Sequence, residues 1–223
     1  MNLLRGVVQA RDQATASSKR RPKLVLKISP DLDSRGVEDI ADAIDMVKGI
    51  DGVIVTNTTV QRPTHLRSGA HLTPLFIPST HSQLCSANRA EQGGLSGAPL
   101  QPLALKIVRD LRKRLPADVP IIGCGGISSG ADALAFARAG ASCIQLLTVF
   151  GYDGAGTCRR IKDELTEELA RTGTTWRRIV GQAMQENTTA SRHSVGVQQL
   201  VRQAEELHVL LNELAQRMDK DAA

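Results

Sequence analysis

PIIGCGGISSG, residues 120–130, is the segment of this 223-residue sequence from which its architecture is most directly inferred. A short run of β-forming residues leads into Gly-Cys-Gly-Gly, and an alanine-rich segment follows Gly130. Glycine lets a backbone approach a ligand closely, and backbone N–H groups beside a helix start can hold an anion. The alternative is a glycine-rich turn that only reverses the chain. The pattern indicates a strand, a turn and a helix, with a phosphate as candidate ligand.

Four short aliphatic runs, separated by helical patterns, repeat the strand-and-helix pattern along the chain. The runs are at 23–29, 52–59, 119–126 and 142–148. Because they are continuously apolar, they are typical of parallel strands covered on both faces. Their alternation with helices predicts right-handed βαβ crossovers in an α/β fold. Four such strands equal half of a (β/α)8 barrel, and a small open sheet fits the pattern as well.

Amphipathic spacing predicts the helices between and after these strands. They are expected at 34–48, 102–115, 130–141 and 157–172. Ser34 is the candidate N-cap of the first helix, and Gly140 is the candidate C-cap of the third.

Composition limits the classes of function. Apolar residues make up 41% of the chain, which is enough for a core, and the net charge of +5 suits an anionic ligand. No aromatic RNA-binding signature and no Cys/His finger spacing is found, so we expect no nucleic-acid partner. The basic N-terminal part is interpreted as an amphipathic helix and a basic loop rather than a transit peptide. No apolar run approaches the roughly 20 residues of a membrane helix.

The cysteines are expected to be reduced packing residues. None of them forms a CxxC pair, so disulfide or zinc partners are disfavoured and no metal site is predicted. The four are Cys85, Cys124, Cys143 and Cys158.

Three segments lie outside the repeat and define the domain organisation. A partial barrel is predicted over 1–182, interrupted by a long irregular insertion at 64–92. A linker is expected at 183–197. Leucines in steps of three and four predict a heptad-like helix at 198–218, which forms a C-terminal extension. A single helix laid on the body fits this last pattern better than a coiled coil.

Polar residues and glycines at strand ends are the candidate site residues. Lys27 lies late in an apolar strand, where a lysine is costly to bury without an anion. Asn57, flanked by Thr56 and Thr58, ends the second run, and barrel ligands sit at the carboxyl ends of strands. A second glycine loop, GGLSG, occupies 93–97. Each feature has a plain alternative, a solvent-facing lysine or an ordinary turn.

The order of the motifs is more informative than any single one. KISPDL, IVTNTT, GGLSG, PIIGCGGISSG and AGASCIQLLT follow one another. This series closely resembles the C-terminal half of the quinone-dependent (class 2) dihydroorotate dehydrogenases, over about residues 3–182. The segment GYDGAGTCRRIKDEL, residues 151–165, is similar to the corresponding segment of fungal members.

The resemblance implies a function and a location. Members are (β/α)8 TIM barrels that bind FMN and oxidise dihydroorotate to orotate in de novo pyrimidine biosynthesis, with ubiquinone as electron acceptor. In eukaryotes they belong to the mitochondrial inner membrane, through a targeting segment that we expect to be absent from this chain. The implied partners are therefore dihydroorotate or orotate and a quinone, with membrane association by family only.

The resemblance also implies residue roles. Lys27 would contact the flavin's pyrimidine-like edge and stabilise the anionic reduced flavin, and Thr56 would touch FMN. Asn57 and Thr58 would bind the substrate. The FMN phosphate would be surrounded by Gly97, Gly125, Gly126, Leu147 and Thr148, where Leu147 replaces the family's usual tyrosine.

Several departures from the family lead to further expectations. The family's catalytic serine base and quinone tunnel belong to a half that this sequence does not match, so no catalytic base is assigned and the chain alone is expected to be inactive. Residues 69–86 exceed the family loop and are interpreted as a retained intron or a faulty gene model, which a spliced transcript lacking them would support. A half-barrel has two exposed strand edges, so the chain is interpreted as a truncated gene product, a gene-model fragment, or a half-barrel that forms a homodimer to close its edges. The alternatives are a non-catalytic flavin-binding remnant and an interaction protein that uses the C-terminal helix.

Overall fold

The structure is a computed structural model that describes residues 2–62 and 93–186. Met1–Met184 forms one compact unit, and Gln185–Ala223 is assigned to a second. The predicted insertion at 64–92, most of the predicted linker and the heptad-like helix at 198–218 lie outside the described residues. Residues 183–186, which were assigned to the linker, belong to a helix instead.

Four parallel strands form one sheet in the order β1-β2-β3-β4. They are β1 Val25–Ile28, β2 Gly52–Val55, β3 Ile121–Cys124 and β4 Cys143–Gln145. Lys27 pairs with Ile54, Ile54 with Ile122, and Cys124 with Gln145. The predicted α/β arrangement of four parallel strands is confirmed.

Helices precede, connect and follow the strands. They are α1 Asn2–Ala14, α2 Ser34–Met46, α3 Gln101–Arg112, α4 Gly130–Arg138, α5 Thr148–Asp153, α6 Gly156–Arg171 and α7 at 176–186. A single 3₁₀ turn, Ala98–Leu100, leads into α3. The predicted helices are confirmed with small shifts at their ends, and Gly140 has the positive φ of 99° that follows a helix end.

One face of the sheet carries the hydrophobic core. Alternate strand residues such as Val53, Val55 and Ile121 are fully buried against α2, α3 and α4. A β-carbon on Gly123 would lie 2.3 Å from the ring of Phe136, so the glycine lets α4 lie directly on β3. The close contact of α4 with β3 is part of the dense packing of this core.

The other face of the sheet is open in the described part of the chain. The prediction that both faces of the strands are covered is therefore wrong for these residues. Most side chains on this face are partly or fully exposed, namely Val25, Lys27, Ile54, Ile122, Cys143 and Gln145, while Cys124 on the same face is buried. Cys143 and also Cys158, in α6, are exposed and thus not the packing residues that were predicted, whereas Cys124 is buried.

Two predicted boundaries need correction. Asp33, rather than Ser34, caps α2, because its carboxylate accepts a hydrogen bond of 2.7 Å from the Gly36 N–H. The fourth strand ends at Gln145 instead of continuing to Thr148, which begins the short helix α5.

Candidate functional site

A cavity of about 670 Å³ opens at the carboxyl ends of the four strands. Strand β1 contributes Lys27 to its wall, the segments that follow β2, β3 and β4 contribute as well, and each predicted site residue lines it. These are Lys27, Thr56, Asn57, Thr58, Gly97, Gly125, Gly126, Leu147 and Thr148. Residues spread over more than 120 positions of sequence thus meet at one edge of the sheet, as in ligand sites of parallel α/β folds.

The glycine turn after β3 adopts a conformation that only glycine accepts readily. Gly125 and Gly126 have φ values of 129° and 69°. β-carbons at these two positions would lie 2.9 Å from the Leu100 side chain and 2.6 Å from Cβ of Gln101. The missing side chains therefore leave room for the start of α3, not for a ligand as the sequence had suggested. The turn faces the cavity with its backbone.

Unused backbone donors mark the cavity side of this turn. The N–H groups of Gly126 and Ile127 make no hydrogen bond with the described residues, and neither does that of Thr148 at the start of α5. Free backbone amides are the groups that hold phosphate in many proteins, so these three N–H groups are the candidate donors for an anion in the cavity.

The start of α4 is not available for the same purpose. The Gly130 N–H donates to Glu164 Oε2 at 2.6 Å, and the Asp132 N–H donates to the Ser129 hydroxyl at 3.1 Å. The Ser128 N–H donates to Asp132 Oδ2 at 3.0 Å. The helix N-terminus that the sequence suggested as a phosphate donor is therefore satisfied by protein groups.

Two carboxylates hold the turn from behind. The Gly130 N–H and the Arg160 guanidinium lower the pKa of Glu164. Burial alone would raise the pKa of Asp132, but hydrogen bonds from Ser128, Gln101 and Ser129 outweigh it, so this pKa is lowered. Both groups are ionised at neutral pH and remain strong acceptors.

We call the turn at Gly125 and Gly126, together with Gly97 and Thr148, the glycine cradle. Gly97 and Thr148 form its opposite wall. Gly97 has φ 83°, and a β-carbon there would lie 3.6 Å from Cγ2 of Thr148. Leu147 is 72% exposed. Its side chain leaves the cradle open, which agrees with a backbone role at this position.

Lys27 is the only basic side chain among the described residues that line the cavity. It extends from the open face of β1 and forms no ion pair with the described residues. Burial raises the pKa of the neighbouring Cys124 thiol, and the charge of Lys27 opposes that rise. The described lining of the cavity thus carries one basic side chain, whose charge acts on the Cys124 thiol.

The loop after β2 places an amide and a hydroxyl at the cavity. The Thr56 hydroxyl donates to the Asn57 carbonyl at 2.8 Å, and Thr56 is buried, so it supports the loop. The peptide bond between Val55 and Thr56 is cis. The Thr58 N–H donates to Asn57 Oδ1 at 2.9 Å. The Asn57 amide nitrogen donates to none of the described residues, so both of its N–H groups are available to a ligand there.

Several residues of the site escaped the sequence analysis. Ser96 and Asp153 line the cavity, while Gln101 and Glu164 support the turn from outside it. Glu164 lies 34 positions from its partner Gly130, so no local pattern could have indicated it. None of the described residues form a group of three or more His, Cys, Asp or Glu that could hold a metal.

These features fit the FMN that the resemblance implies. A phosphate requires backbone donors, which the free N–H groups of the cradle would supply, and an electron-rich ring edge requires a cation, which Lys27 would supply. The substrate amide requires a donor and an acceptor, which Asn57 and Thr58 would supply.

The fold and the site define an α/β protein of the parallel (β/α) barrel class, with its cavity at the carboxyl edge of the sheet. Residues 2–169 match the sequence family described as dihydroorotate dehydrogenase. The chain belongs to the dihydroorotate dehydrogenase family.

Two individual relatives are similar to this chain over about four fifths of its length. The chain is 46% identical over 179 residues to the mitochondrial dihydroorotate dehydrogenase (quinone) of Schizosaccharomyces pombe, which covers 80% of this chain and 35% of the relative. It is 40% identical over 188 residues to the protein of the same name from Kluyveromyces lactis, covering 81% and 39%. The chain therefore spans little more than a third of these relatives' length. The resemblance to the quinone-dependent class, with fungal members, is confirmed.

Solved structures agree with the fold. A crystal structure of Eimeria tenella dihydroorotate dehydrogenase in complex with ferulenol has a TM-score of 0.62 and 39% identity, covering 74% of this chain and 39% of that one. The ligand-free structure of the Eimeria protein has a TM-score of 0.57 at 42% identity, covering 69% and 37%. The predicted fold class, part of a (β/α)8 barrel, is confirmed.

Proposed function

We propose that this chain serves the FMN-dependent oxidation of dihydroorotate to orotate, with a quinone as electron acceptor, in pyrimidine biosynthesis. The observation that carries the proposal is the convergence of a glycine cradle, a lone cation and a donor-acceptor pair in one cavity. The family assignment supports the same reaction class.

The described residues divide into three proposed tasks. Gly126, Thr148 and Gly97, with Gly125 and Leu147 beside them, would hold the phosphate through backbone N–H groups. Lys27 would face the ring edge that becomes anionic on reduction. Asn57 and Thr58 would orient the pyrimidine, with Thr56 fixing the backbone between strand and loop.

The chemistry supplied by bound FMN is acceptance of a hydride from the substrate. The chain's own proposed part is to bind and orient both molecules. By resemblance, the proton is removed by a serine that none of the described residues matches, so we propose that the described residues do not themselves remove the proton.

The relatives' names support a mitochondrial location, and we propose the inner membrane by family. No helix within the described residues is long and apolar enough to cross a membrane.

We propose further that the open sheet face and the free edges of β1 and β4 pair with a second copy. Two half-barrels related by a two-fold axis would cover both faces, which removes the unpaired strand edges. Sedimentation of the purified chain should then give twice its 23.9 kDa mass, and a monomer at all concentrations would contradict the pairing.

Spectroscopy of the purified chain tests the functional proposal. We expect oxidised flavin absorbance at one FMN per chain, and a spectral shift when orotate is added. Anaerobic dihydroorotate should leave the flavin oxidised, whereas bleaching would show that these residues complete the first half-reaction without the serine. Bound flavin with no orotate response would favour the non-catalytic remnant. Absence of both flavin and orotate binding would overturn the proposal.

A further inference from the structure

The Asp31 carboxylate, in the loop after β1, gathers donors from the loop after β2. Its oxygens accept hydrogen bonds from the Thr59 hydroxyl, from the Val60 N–H at 2.9 Å and from the Gln61 side-chain amide at 3.0 Å. The Ser29 hydroxyl lies at 3.5 Å from the same carboxylate. Three of these donors lie 28 to 30 residues further along the chain. One side chain thus joins two loops at the carboxyl edge of the sheet.

Thr59 extends this connection to a third loop. Its side chain is fully buried, and its backbone forms an antiparallel bridge with Leu95, with N–H to O distances of 3.1 and 2.7 Å. Its hydroxyl also accepts a bond of 3.0 Å from the Gln61 N–H. Because the hydroxyl proton is given to Asp31, both its donor and its acceptor capacity are used.

The residues immediately before Thr59 face the cavity. Asn57 is fixed at its backbone by a bond of 2.7 Å from its N–H to the Ile28 carbonyl. Thr58 is pressed by the third loop, since a β-carbon on Gly94 would lie 1.7 Å from the Thr58 hydroxyl oxygen. Movement of Thr59 would therefore displace Thr58 and the side chain of Asn57.

We infer that Asp31 is a positioning residue that sets Asn57 and Thr58 for a planar pyrimidine carrying amide groups. The inference rests on the proposed function and adds a residue that does not itself line the cavity. An ionised carboxylate is required, because a neutral amide at this place would turn a donor toward one of the incoming donors.

The charge state supports the geometry. Burial would raise the pKa of Asp31, but the bonds from Thr59, Val60, Gln61 and Ser29 outweigh it and lower this pKa. The group is therefore ionised throughout the neutral range, and its acceptor role does not depend on physiological pH.

Ligand affinities measured on three variants test the inference. Asp31→Ala removes the carboxylate, and Thr59→Val removes only the hydroxyl while keeping the shape. Asp33→Ala is the matched control, because Asp33 is in the same loop but caps α2 through the Gly36 N–H. For each full-length protein, FMN affinity is measured by flavin fluorescence and orotate affinity by the flavin absorbance shift. Amide hydrogen exchange is followed in parallel without ligand.

A split between the two affinities is the expected result. Asp31→Ala and Thr59→Val should weaken orotate binding by about tenfold, with FMN affinity changed by less than about twofold. Exchange should accelerate at 57–62 and 93–97 and stay unchanged in β3. Asp33→Ala should accelerate exchange in α2 and leave orotate affinity as it is.

Two results would overturn the inference. One is unchanged orotate affinity in Asp31→Ala, and the other is a parallel loss of FMN and orotate affinity, which a general structural role would cause. If the unaltered chain binds neither molecule, the proposed function fails. Hydrogen exchange then decides the loop connection separately, because unchanged exchange at 57–62 in Asp31→Ala contradicts it.

Discussion

Gly126 and Gln101 are in closer contact than any other residue type at position 126 would allow. A β-carbon on Gly126 would lie 2.6 Å from Cβ of Gln101 and 2.8 Å from its backbone nitrogen. The positive φ of 69° adds a second constraint. The cradle is therefore shaped by the helix behind it, and the N–H groups facing the cavity follow from that packing.

Gly126→Ala should damage the cradle and the fold together. The methyl group meets backbone atoms of α3, and the left-handed conformation is strained, so we expect a loss of about 2–4 kcal/mol in the free energy of unfolding. FMN affinity should fall by at least about a hundredfold, because displaced N–H groups no longer converge. Urea unfolding and flavin fluorescence measure the two effects.

Gly156→Ala is the matched control. Gly156 begins α6, lies in open space and has an ordinary φ. The same methyl addition should leave FMN affinity unchanged and raise stability by up to about 1 kcal/mol. Equal effects of the two substitutions would show that position 126 has no special role.

Lys27→Met should change the flavin rather than the fold. Lys27 is exposed on the open face and unpaired with other described residues, so the free energy of unfolding should change by less than about 0.5 kcal/mol. The midpoint potential of the bound flavin should become more negative, by about 30 mV for each tenfold loss in stabilisation of the reduced form. Equilibration with a reference dye measures this potential. Lys162→Met, at an exposed position of α6, should leave the potential unchanged.

Asp51 links α1 to the amino ends of β1 and β2. It accepts hydrogen bonds from Lys23 at 2.8 Å, from the Leu24 N–H at 2.9 Å and from the buried Arg11 at 3.1 Å. The bonds from Lys23 and Leu24 lower its pKa below the usual range. A carboxylate with a lowered folded-state pKa stabilises fully above about pH 4 and loses that contribution as pH falls through the folded value.

Asp51→Asn should therefore lower stability at pH 7, by about 1–3 kcal/mol, and flatten its acid dependence. Urea midpoints between pH 7 and pH 2 measure both effects. Asp45→Asn breaks only an exposed pair with Lys48 and should cost less than about 0.5 kcal/mol. An Asp51→Asn profile that is parallel to the unaltered one would contradict the assignment.

Deleting residues 69–86 should leave the cavity intact. The residues on either side of this long loop, which we call its neck, are held together. The Arg62 side chain donates to the Gly93 carbonyl at 2.6 Å, and Thr59 forms a β-bridge with Leu95. FMN affinity of the deletion variant should match that of the full chain within about twofold, since these contacts fix both sides of the neck. A large loss would show that the segment contributes to the site.

The sequence allowed the strands and most helices to be predicted because their apolar patterns are local. The short helix α5 was missed because six residues from Thr148 to Asp153 carry no amphipathic repeat. The open sheet face could not be predicted either, since a continuous apolar run indicates burial without showing what provides it. Cys143 shows this most clearly, because it lies in an apolar run that predicted burial and is exposed in the structure.

The sequence allowed only those residues of the candidate site that line the cavity to be predicted. Motif order indicated Lys27, Asn57 and the glycines, and the structure brings them together. The supporting contacts are long-range and left no local signal, as with Glu164 on Gly130. Asp31 was visible as a carboxylate directly after a strand, but its partners lie about 30 positions away.

Titration of the purified, unaltered chain with FMN is the most direct test of the central claim that the glycine cradle holds a flavin phosphate. We predict saturable quenching of flavin fluorescence at one FMN per chain, and much weaker binding of riboflavin, which lacks the phosphate. Equal affinity for riboflavin and FMN, or no saturable binding of either, would contradict the account.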